Sequence, residues 1–379
     1  MKIINGILFC VFFFSLNAIA QPGAIDTKFG IEGFVYYNTE IGDGFETMGI
    51  QPDGKLIVHR QFYLGRYNTN GTLDISFGTN GWKSLNHGLL DLVIQADGSI
   101  LTLVQTASSG NRIFKHNAND GSIDVNWGDG GSVGIELFGV QLSYKSIALD
   151  TKGRIILAGQ ATFGTSPNIT RTTSVARLNA DGSLDTGFNG GGIRNQIFLD
   201  NLDRSAIECG VDGNDKIVIS VGVGRTVDDD IILKYNTDGR LDLTFGGGDG
   251  EITSAEKIIR LVVDVSGKIG YTTEARPNAL VWSQILYLNS DGTGITNRFF
   301  QQLIAFTAID FQDDGKIVFA GFSAGRLVVI RLNSDGDEDE TFYNGTAVGR
   351  IDILPGSNIV PTEVFYYNKR LFFSGHSGV

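Results

Sequence analysis

The sequence of 379 residues is poor in cysteine, proline and histidine, and these shortages exclude several classes of protein. Its 2 cysteines cannot support a disulfide-rich scaffold, and 6 prolines exclude a proline-rich or collagen-like chain. The histidines show neither the H-x-x-x-H nor the H-E-x-x-H spacing of zinc sites; they are His59, His87, His116 and His376. Walker, nucleophile-elbow and dinucleotide-binding signatures are missing too. The sequence therefore predicts no catalytic residues, no metal ligands and no cofactor.

Positive charge is scarce as well. The chain has 30 Lys and Arg against 42 Asp and Glu, a net charge of −12. Nucleic-acid binding needs a basic surface, so we expect no nucleic-acid partner. Outside the N-terminus no apolar run is long enough for a membrane helix, and we expect no membrane span.

The N-terminus resembles a secretory signal. Lys2 is the only charge in the first 20 residues, and the apolar run 7–16 is short. Ala18 and Ala20 give the small-x-small cleavage pattern, so residues 1–20 are predicted to be a signal peptide and Gln21 the mature N-terminus. The chain should be exported to a periplasmic, cell-surface or extracellular location. Cys209 would then be its only cysteine, and we expect a buried, inert thiol.

What the sequence does contain is a repeat. Residues 71–78 (GTLDISFG) form a segment, here called the closing phrase, whose copies begin at Gly23, Gly71, Gly121, Gly182, Gly239 and, in weaker form, Gly292 and Gly336. Successive copies begin 44 to 61 residues apart. A unit of that length is one supersecondary element that stacks on its neighbours.

A second segment, the hairpin phrase, alternates with the first. Residues 53–58 (DGKLIV) are one copy and residues 314–321 (DGKIVFAG) another. Asp-Gly between β-rich runs predicts a hairpin. Adding one strand after each closing phrase and one before the next gives four antiparallel strands per repeat, with hairpins and closing phrases at the same end. Seven hairpin phrases predict one domain over residues 21–379, a seven-bladed, all-β propeller.

The last repeat is incomplete in the sequence. The strand that should precede the first closing phrase is missing from the predicted mature chain, and the chain stops at Val379 soon after the seventh hairpin. We therefore expect either a three-stranded closing blade or a reading frame that is a truncated version of a longer protein.

The two phrases together resemble the bacterial delta-60 repeat, whose signatures are DGK-hydrophobic-AG and N-x-DG-x-LD-x-x-FG. The resemblance extends over nearly all of residues 21–379 and is weakest around Gly292. It implies a β-propeller in an exported or surface protein. It implies no catalytic residues.

Each repeated polar or aromatic residue has a structural interpretation. The aromatic residue of the closing phrase should pack between blades, and the basic residue before the phrase should pair with its Asp, as Arg177 with Asp185. Calcium binding by the N-x-DG-x-LD segment is an alternative. However, a basic residue occupies a ligand position in most copies, which disfavours a metal. Residues 333–340 (NSDGDEDE) are the best remaining calcium candidate.

The pattern favours a non-enzymatic binding or structural module at the cell surface or outside the cell, with an extracellular glycan or a surface protein as its partner. One alternative is a glycan hydrolase or lyase with carboxylates around the central channel; another is a calcium-stabilised adhesion protein. Loops opposite the closing phrases vary in length, so they are candidate binding loops unless they are neutral insertions. Their candidate residues are Phe163, Thr165, Asn168, Arg171, Asp228, Asp229 and Asp230.

Overall fold

The computed structural model describes most of the chain. The described residues are 9–17, 24–31, 34–39, 45–106, 110–137, 139–164, 168–196, 204–223, 230–275, 282–300, 305–323, 326–342, 350–353 and 359–377. Their regular structure consists of strands, which confirms the prediction of an all-β protein. In this part of the chain no helix has the length and apolar character needed to cross a membrane.

Six sheets have four antiparallel strands each and follow one another along the chain as the blades of a β-propeller. In each blade the strands lie side by side in chain order, so every blade is a simple meander. Their bounds, blade by blade, are: β4 (Thr47–Ile50), β5 (Leu56–Arg60), β6 (Tyr63–Tyr67) and β7 (Trp82–Ser84); β8 (Gly88–Ile94), β9 (Ile100–Thr106), β10 (Gly110–His116) and β11 (Ser132–Gly134); β12 (Val140–Leu149), β13 (Ile155–Phe163), β14 (Thr170–Leu178) and β15 (Ile193–Gln196); β16 (Arg204–Val211), β17 (Ile217–Val223), β18 (Asp230–Tyr235) and β19 (Glu251–Ser254); β20 (Lys257–Val263), β21 (Ile269–Ala275), β22 (Trp282–Leu288) and β23 (Gly294–Phe300); β24 (Ala305–Phe311), β25 (Ile317–Ser323), β26 (Arg326–Leu332) and β27 (Arg350–Ile353).

A further sheet, here called the terminal sheet, joins the two ends of the chain. It has five strands, which are β1 (Phe9–Asn17), β2 (Ala24–Ile25), β3 (Phe34–Thr39), β28 (Ile359–Tyr367) and β29 (Arg370–Ser377). Strand β1 pairs with β29 on one side and with β3 and β2 on the other. Hydrogen bonds from blade 6 and blade 1 reach β28, so the terminal sheet closes the ring.

The predicted count of seven four-stranded blades is wrong, because the described residues form six. The seventh hairpin phrase does form a hairpin, β28–β29, but no third strand follows it in the described residues. The free edge of β29 pairs instead with β1. A three-stranded closing blade is likewise not found, since the terminal sheet has five strands; one of them, β1, lies within the predicted signal peptide, and the predicted cleavage would remove it.

The boundary between blades also differs from the prediction. The strand that follows a closing phrase pairs with the strand before that phrase, as β15 pairs with β14. The closing phrase therefore connects strands three and four of one blade instead of linking two blades. Its first backbone amides bond back to the third strand, as Asp185 N does to Arg177 O at 2.9 Å. This local bonding draws the fourth strand onto its own blade.

The closing-phrase aromatics pack between blades, as predicted. All six lie in the core; they are Phe29, Phe77, Trp127, Phe188, Phe245 and Phe342. The indole Nε1 of Trp127 donates to Ala180 O of the next blade at 2.8 Å. Its ring lies 3.0 Å from the place a Cβ would take at Gly182, where φ is 88°. Glycine there meets two demands: left-handed backbone and close approach of the aromatic ring.

In three repeats the basic residue before the closing phrase joins neighbouring blades, and Lys234 does so through Ser290 O. Arg177 Nε lies 2.7 Å from Asp185 Oδ2, as predicted, and Arg177 Nη1 donates to Thr237 O of the next blade at 2.6 Å. The guanidinium carbon lies 4.8 Å from the centroid of the Phe188 ring. Arg66 makes the equivalent contacts between blade 1 and blade 2.

Hairpin phrases and closing phrases lie at the same end of the propeller, as predicted. The basic residue of a hairpin reaches the Asp of the closing phrase in its own blade: Lys216 Nζ lies 2.7 Å from Asp242 Oδ2, and Lys316 Nζ lies 2.7 Å from Asp339 Oδ2. This end is called the phrase end below, and the opposite end the loop end.

Candidate functional site

A cavity of about 660 Å³ runs along the propeller axis. The first strand of every blade and β28 of the terminal sheet contribute to its wall. Toward the phrase end the wall is largely aliphatic, with Ile50, Ile94 and Leu149 among its side chains. Polar side chains form a belt farther in.

The belt occupies one position per sheet, four residues before the first residue of each hairpin turn. These positions, here called the ring positions, are Thr47, Asp91, Ser146, Glu208, Arg260, Ala308 and Glu363. In six of the seven strands the pairing register shifts immediately before the ring position. Such a bulge adds one unpaired residue and redirects the side chains that follow it. The repeated bulge therefore sets the direction of the belt.

Ring side chains bond from one blade to the next. Asp91 Oδ2 accepts from Ile147 N at 2.9 Å, and Glu363 Oε2 accepts from Met48 N at 2.7 Å. The residue that donates is the one after the ring position in the following blade.

Two further ring positions continue this pattern. Ser146 Oγ accepts from Cys209 N at 3.3 Å, and Glu208 accepts from Leu261 N. Ala308 has no polar side chain, and Asp310 bonds to the next sheet instead, through Tyr366 N at 2.7 Å.

Arg260 supplies the one positive charge of the ring. Its Nη1 lies 3.0 Å from Glu208 Oε1, and its Nε donates to Thr307 O at 2.9 Å. The Glu208 side chain is 21 % exposed and lines the cavity together with Arg260, so both groups are accessible from the cavity.

Burial raises the pKa of four carboxyl groups in the cavity wall. Burial raises the pKa of Glu208 to about 7, although the charge of Arg260 opposes the shift. Burial raises the pKa of Glu363 to about 8, and the negative charge of Asp91 adds to it against the Met48 amide. The pKa of Asp91 rises to about 6 and that of Asp310 to about 7, again mainly through burial. Desolvation disfavours the ionised form, so at neutral pH Glu363 is mostly protonated and Glu208 and Asp310 are partly protonated, whereas Asp91 is mostly ionised.

The only cysteine outside the predicted signal peptide lines the same cavity. Cys209 Sγ lies 3.5 Å from Ser146 Oγ, and burial raises the pKa of the thiol to about 12. The thiolate is the nucleophilic form. This thiol therefore stays protonated, in agreement with the predicted inert cysteine.

Carboxyl groups from separate sheets thus converge on the axis, the condition that a glycan hydrolase or lyase would require. Raised pKa values suit a general acid. Each carboxyl group, however, already accepts a hydrogen bond from the backbone of a neighbouring strand, so it has a structural task as well.

The candidate loop residues occupy several environments at the loop end. Phe163 ends β13 and packs partly buried against the core, while Asn168 is exposed. Arg171 lies in β14 and is half-buried. Asp230 is only 5 % exposed, and its Oδ2 accepts from Ile258 N of the next blade at 2.7 Å. Thr165, Asp228 and Asp229 lie outside the described residues. The four described residues thus occupy different environments, and the binding-loop interpretation stays a prediction.

The aspartates of the phrase end mainly organise turns. Asp181 Oδ1 accepts from Ser183 N at 2.9 Å, and Asp335 Oδ1 accepts from Asp337 N at 3.1 Å. Asp339 lies 2.6 Å from Arg331. Among the described residues no group of three or more His, Cys, Asp and Glu side chains is arranged to hold a metal ion. The calcium alternative stays a prediction.

The ring positions escaped the sequence interpretation, which concentrated on residues that recur in every repeat. The ring varies in chemistry, so no recurring letter marks it. A constant spacing in the sequence marks the ring instead, because each ring position precedes the hairpin turn by four residues. An alignment of the hairpin phrases extended toward the N-terminus would have found a polar side chain in six of the seven copies.

Comparison with known families gives one match. The model of a β-propeller family, described as domain of unknown function DUF5122, matches residues 51–77, 153–188 and 312–342. These segments contain hairpin and closing phrases from three blades. No curated protein matches the chain.

Comparison with solved structures supports the propeller fold. Drosophila Semaphorin 2a has a TM-score of 0.53 at 9 % identity, with 89 % of this chain and 73 % of that chain covered. Virginiamycin B lyase from Staphylococcus aureus has a TM-score of 0.52 at 12 % identity, covering 97 % and 99 %. A streptogramin B lyase has a TM-score of 0.51 at 13 % identity, covering 97 % of both chains. At these identities the likeness is one of fold alone.

Proposed function

We propose that this chain is an exported, non-enzymatic β-propeller of the delta-60 repeat type that binds an extracellular glycan in its central cavity. The observation that carries the proposal is the cavity itself. Its volume of about 660 Å³ falls within the range of small-ligand sites, and its wall combines aliphatic side chains with a belt of polar groups.

The hydrogen bonds of the belt favour binding over catalysis. Asp91 and Glu363 are held by backbone amides of neighbouring strands, so their positions are fixed whether or not a ligand is present. A preorganised set of acceptors binds without an ordering cost. A catalytic acid must also give up its proton during the reaction. Its ionisation would strengthen the hydrogen bonds from the backbone amides and so change the contacts between blades.

The glycan hydrolase or lyase is the second candidate. Glu208, whose pKa rises to about 7, and Glu363, whose pKa rises to about 8, have the values expected of a general acid near neutral pH. Two of the similar folds are lyases. Substitution of these residues can therefore distinguish glycan binding from glycan cleavage by experiment.

The test begins with the chain from Gln21 on a glycan array, followed by incubation of every bound glycan with the protein. We expect binding without cleavage. The Glu208→Gln variant should keep most of the binding, since glutamine has the shape of glutamate. Release of shortened or unsaturated products by the wild type, abolished in Glu208→Gln, would establish the enzyme instead.

Two further measurements complete the test. Fractionation of producing cells, with N-terminal sequencing, should find an exported protein that begins at Gln21; a cytoplasmic protein that retains Lys2 would contradict export. Replacement of residues 164–169 by a short Gly-Ser turn should leave glycan binding unchanged. Loss of binding in that folded variant would move the site from the cavity to the candidate loop.

A further inference from the structure

Hydrogen-bond donors and acceptors are unequally available in the cavity wall. Donors are already engaged: Thr47 Oγ1 donates to Glu363 at 2.8 Å, the Ser146 hydroxyl to Asp91, and the Cys209 thiol to Ser146. The guanidinium of Arg260 is divided between Glu208 and Thr307 O. Apart from the Lys145 ammonium and the protonated carboxyl groups, a ligand in the cavity therefore finds few hydrogens offered to it.

Acceptors remain available. A carboxylate has about four lone-pair positions. The Glu363 carboxyl group uses two of them, for Thr47 Oγ1 and Met48 N. Asp310 also accepts two bonds, from Phe311 N and Tyr366 N. The unused positions call for a ligand rich in N–H or O–H groups.

The charges in the wall are also unequal. Among the described residues Arg260 lies within ion-pair distance of Glu208, whereas no Lys or Arg does so for Asp91, Asp310 or Glu363. Lys145 contributes an exposed cation to the cavity lining. A neutral sugar would satisfy the acceptors, but only a cationic ligand would also favour the ionised form of these carboxyl groups.

We propose that the central cavity selects glycans that carry free amino groups, whose ammonium ions donate hydrogen bonds to the carboxyl groups of the wall and supply a positive charge that favours their ionised form. The inference rests on the proposed function and names the ligand class of the same site. An ammonium group offers three donors to carboxylates, and such charge-assisted bonds are stronger than those of a hydroxyl.

The test compares three trisaccharides by isothermal titration calorimetry: the glucosamine trimer, the N-acetylglucosamine trimer and the galacturonate trimer. The first two differ only in acetylation of the amine, so their difference reports the charge. We expect the glucosamine trimer to bind at least about tenfold more tightly than the acetylated trimer, as the loss of hydrogen bonds to charged groups predicts. The galacturonate trimer should bind least.

Matched variants place the effect in the cavity. The double variant Asp91→Asn, Glu363→Gln keeps one acceptor oxygen at each position for the bond to the next blade, from Ile147 N and Met48 N, but it removes two ionisable groups. It should lower the affinity for the glucosamine trimer by about tenfold or more. The control is the triple variant Asp53→Asn, Asp97→Asn, Asp238→Asn, which removes three charges from exposed sites at the phrase end. It should change the affinity for the glucosamine trimer little. Circular dichroism should show both variants folded.

Proton exchange gives an independent measure. An ammonium group near Glu363 favours the ionised carboxylate, so binding at pH 7 should release protons, and the observed heat should depend on the ionisation enthalpy of the buffer. Glu363→Gln should reduce that dependence. The acetylated trimer should release none.

Each outcome bears on one of the two proposals. Equal binding of both glucosamine-type trimers, or an equal loss in the cavity and surface variants, would overturn the amino-glycan inference. If the array instead finds a neutral or acidic glycan whose binding depends on the ring positions, the proposed function stands and only this inference fails. If no glycan binds, both fail.

Discussion

The phrase end and the cavity use the same kinds of residue for opposite electrostatic results. At the phrase end, hydrogen bonds and nearby cations outweigh burial and lower the pKa of carboxyl groups, as Thr151 and Lys152 do for Asp215, to about 2. In the cavity, burial dominates and raises the pKa of Glu363 to about 8. The difference is one of partners: in most blades the acids of the phrase end recur together with a base, whereas the ring has one arginine. The repeated residues of the phrase end therefore balance their charges, whereas the ring positions, which vary in residue type, do not.

The largest expected effect on stability comes from a substitution at the phrase end, where the repeat is regular. Trp127→Ala should lower the free energy of unfolding by about 3–5 kcal/mol, because it empties a site between two blades and removes the bond to Ala180 O. Denaturant unfolding is the measurement. Val125→Ala, in the same closing phrase but 66 % exposed, is the control and should stay within about 0.5 kcal/mol. If both variants unfold alike, the blades are not held together at the closing phrase.

The next effect concerns the repeated ion pair. Arg177→Met should cost about 2–3 kcal/mol, since Asp185 and Thr237 O lose a charged donor in a buried site. Arg240→Met removes an arginine that is 83 % exposed and paired with an exposed Asp238, and it should cost less than about 1 kcal/mol. Comparable losses in the two variants would show that burial adds nothing to this pair.

The pH dependence of stability should have opposite signs in the two regions. Cavity carboxyl groups have folded pKa values above their unfolded values, so the stability they contribute is complete below about pH 4 and is lost as pH rises through 6 to 8. Phrase-end aspartates such as Asp215 have lowered values, so their contribution is present above about pH 4 and is lost in stronger acid.

Thermal unfolding between pH 3 and pH 9 checks this expectation, in buffers of constant ionic strength. Glu363→Gln should flatten the decline between pH 6 and 8 by about 1–2 kcal/mol and leave the acid limb unchanged. A decline of undiminished slope in Glu363→Gln would show that the cavity carboxyl groups do not titrate in this range.

The smallest effect at neutral pH should come from His116. Burial lowers the pKa of this side chain to about 4, and its ring bonds Thr102 Oγ1 at 3.0 Å and Gly121 O at 3.1 Å. The neutral form is stable in the folded state, so its contribution is present above pH 6.5 and is lost as pH falls toward 4. His116→Leu, which copies the leucine that three other blades have at the end of the third strand, should gain stability relative to wild type as pH falls from 6.5 to 4. If the stability of the two proteins changes in parallel between pH 6.5 and pH 4, this expectation is refuted.

Features that recur could be predicted from the sequence, and features that do not recur could not. Pairing of Arg177 with Asp185 and burial of Trp127 followed from their repetition at fixed spacing. The ring positions share a location and no residue type, so their convergence depends on the curvature of the whole array. The blade boundary was misplaced for another reason: Asp185 N bonds back to the third strand, and no sequence pattern distinguishes a turn within a blade from a link between blades.

The bond between Glu363 and Thr47 joins residues 316 positions apart, whereas most blade-to-blade bonds of the ring join residues about one repeat apart. Propagation from blade to blade therefore costs little chain entropy, but closing the circle requires one very large loop. Folding should proceed along the array and finish at this seam. The seam is also where unfolding should start, so amide hydrogens of Met48 and its neighbours should exchange before those of the central blades.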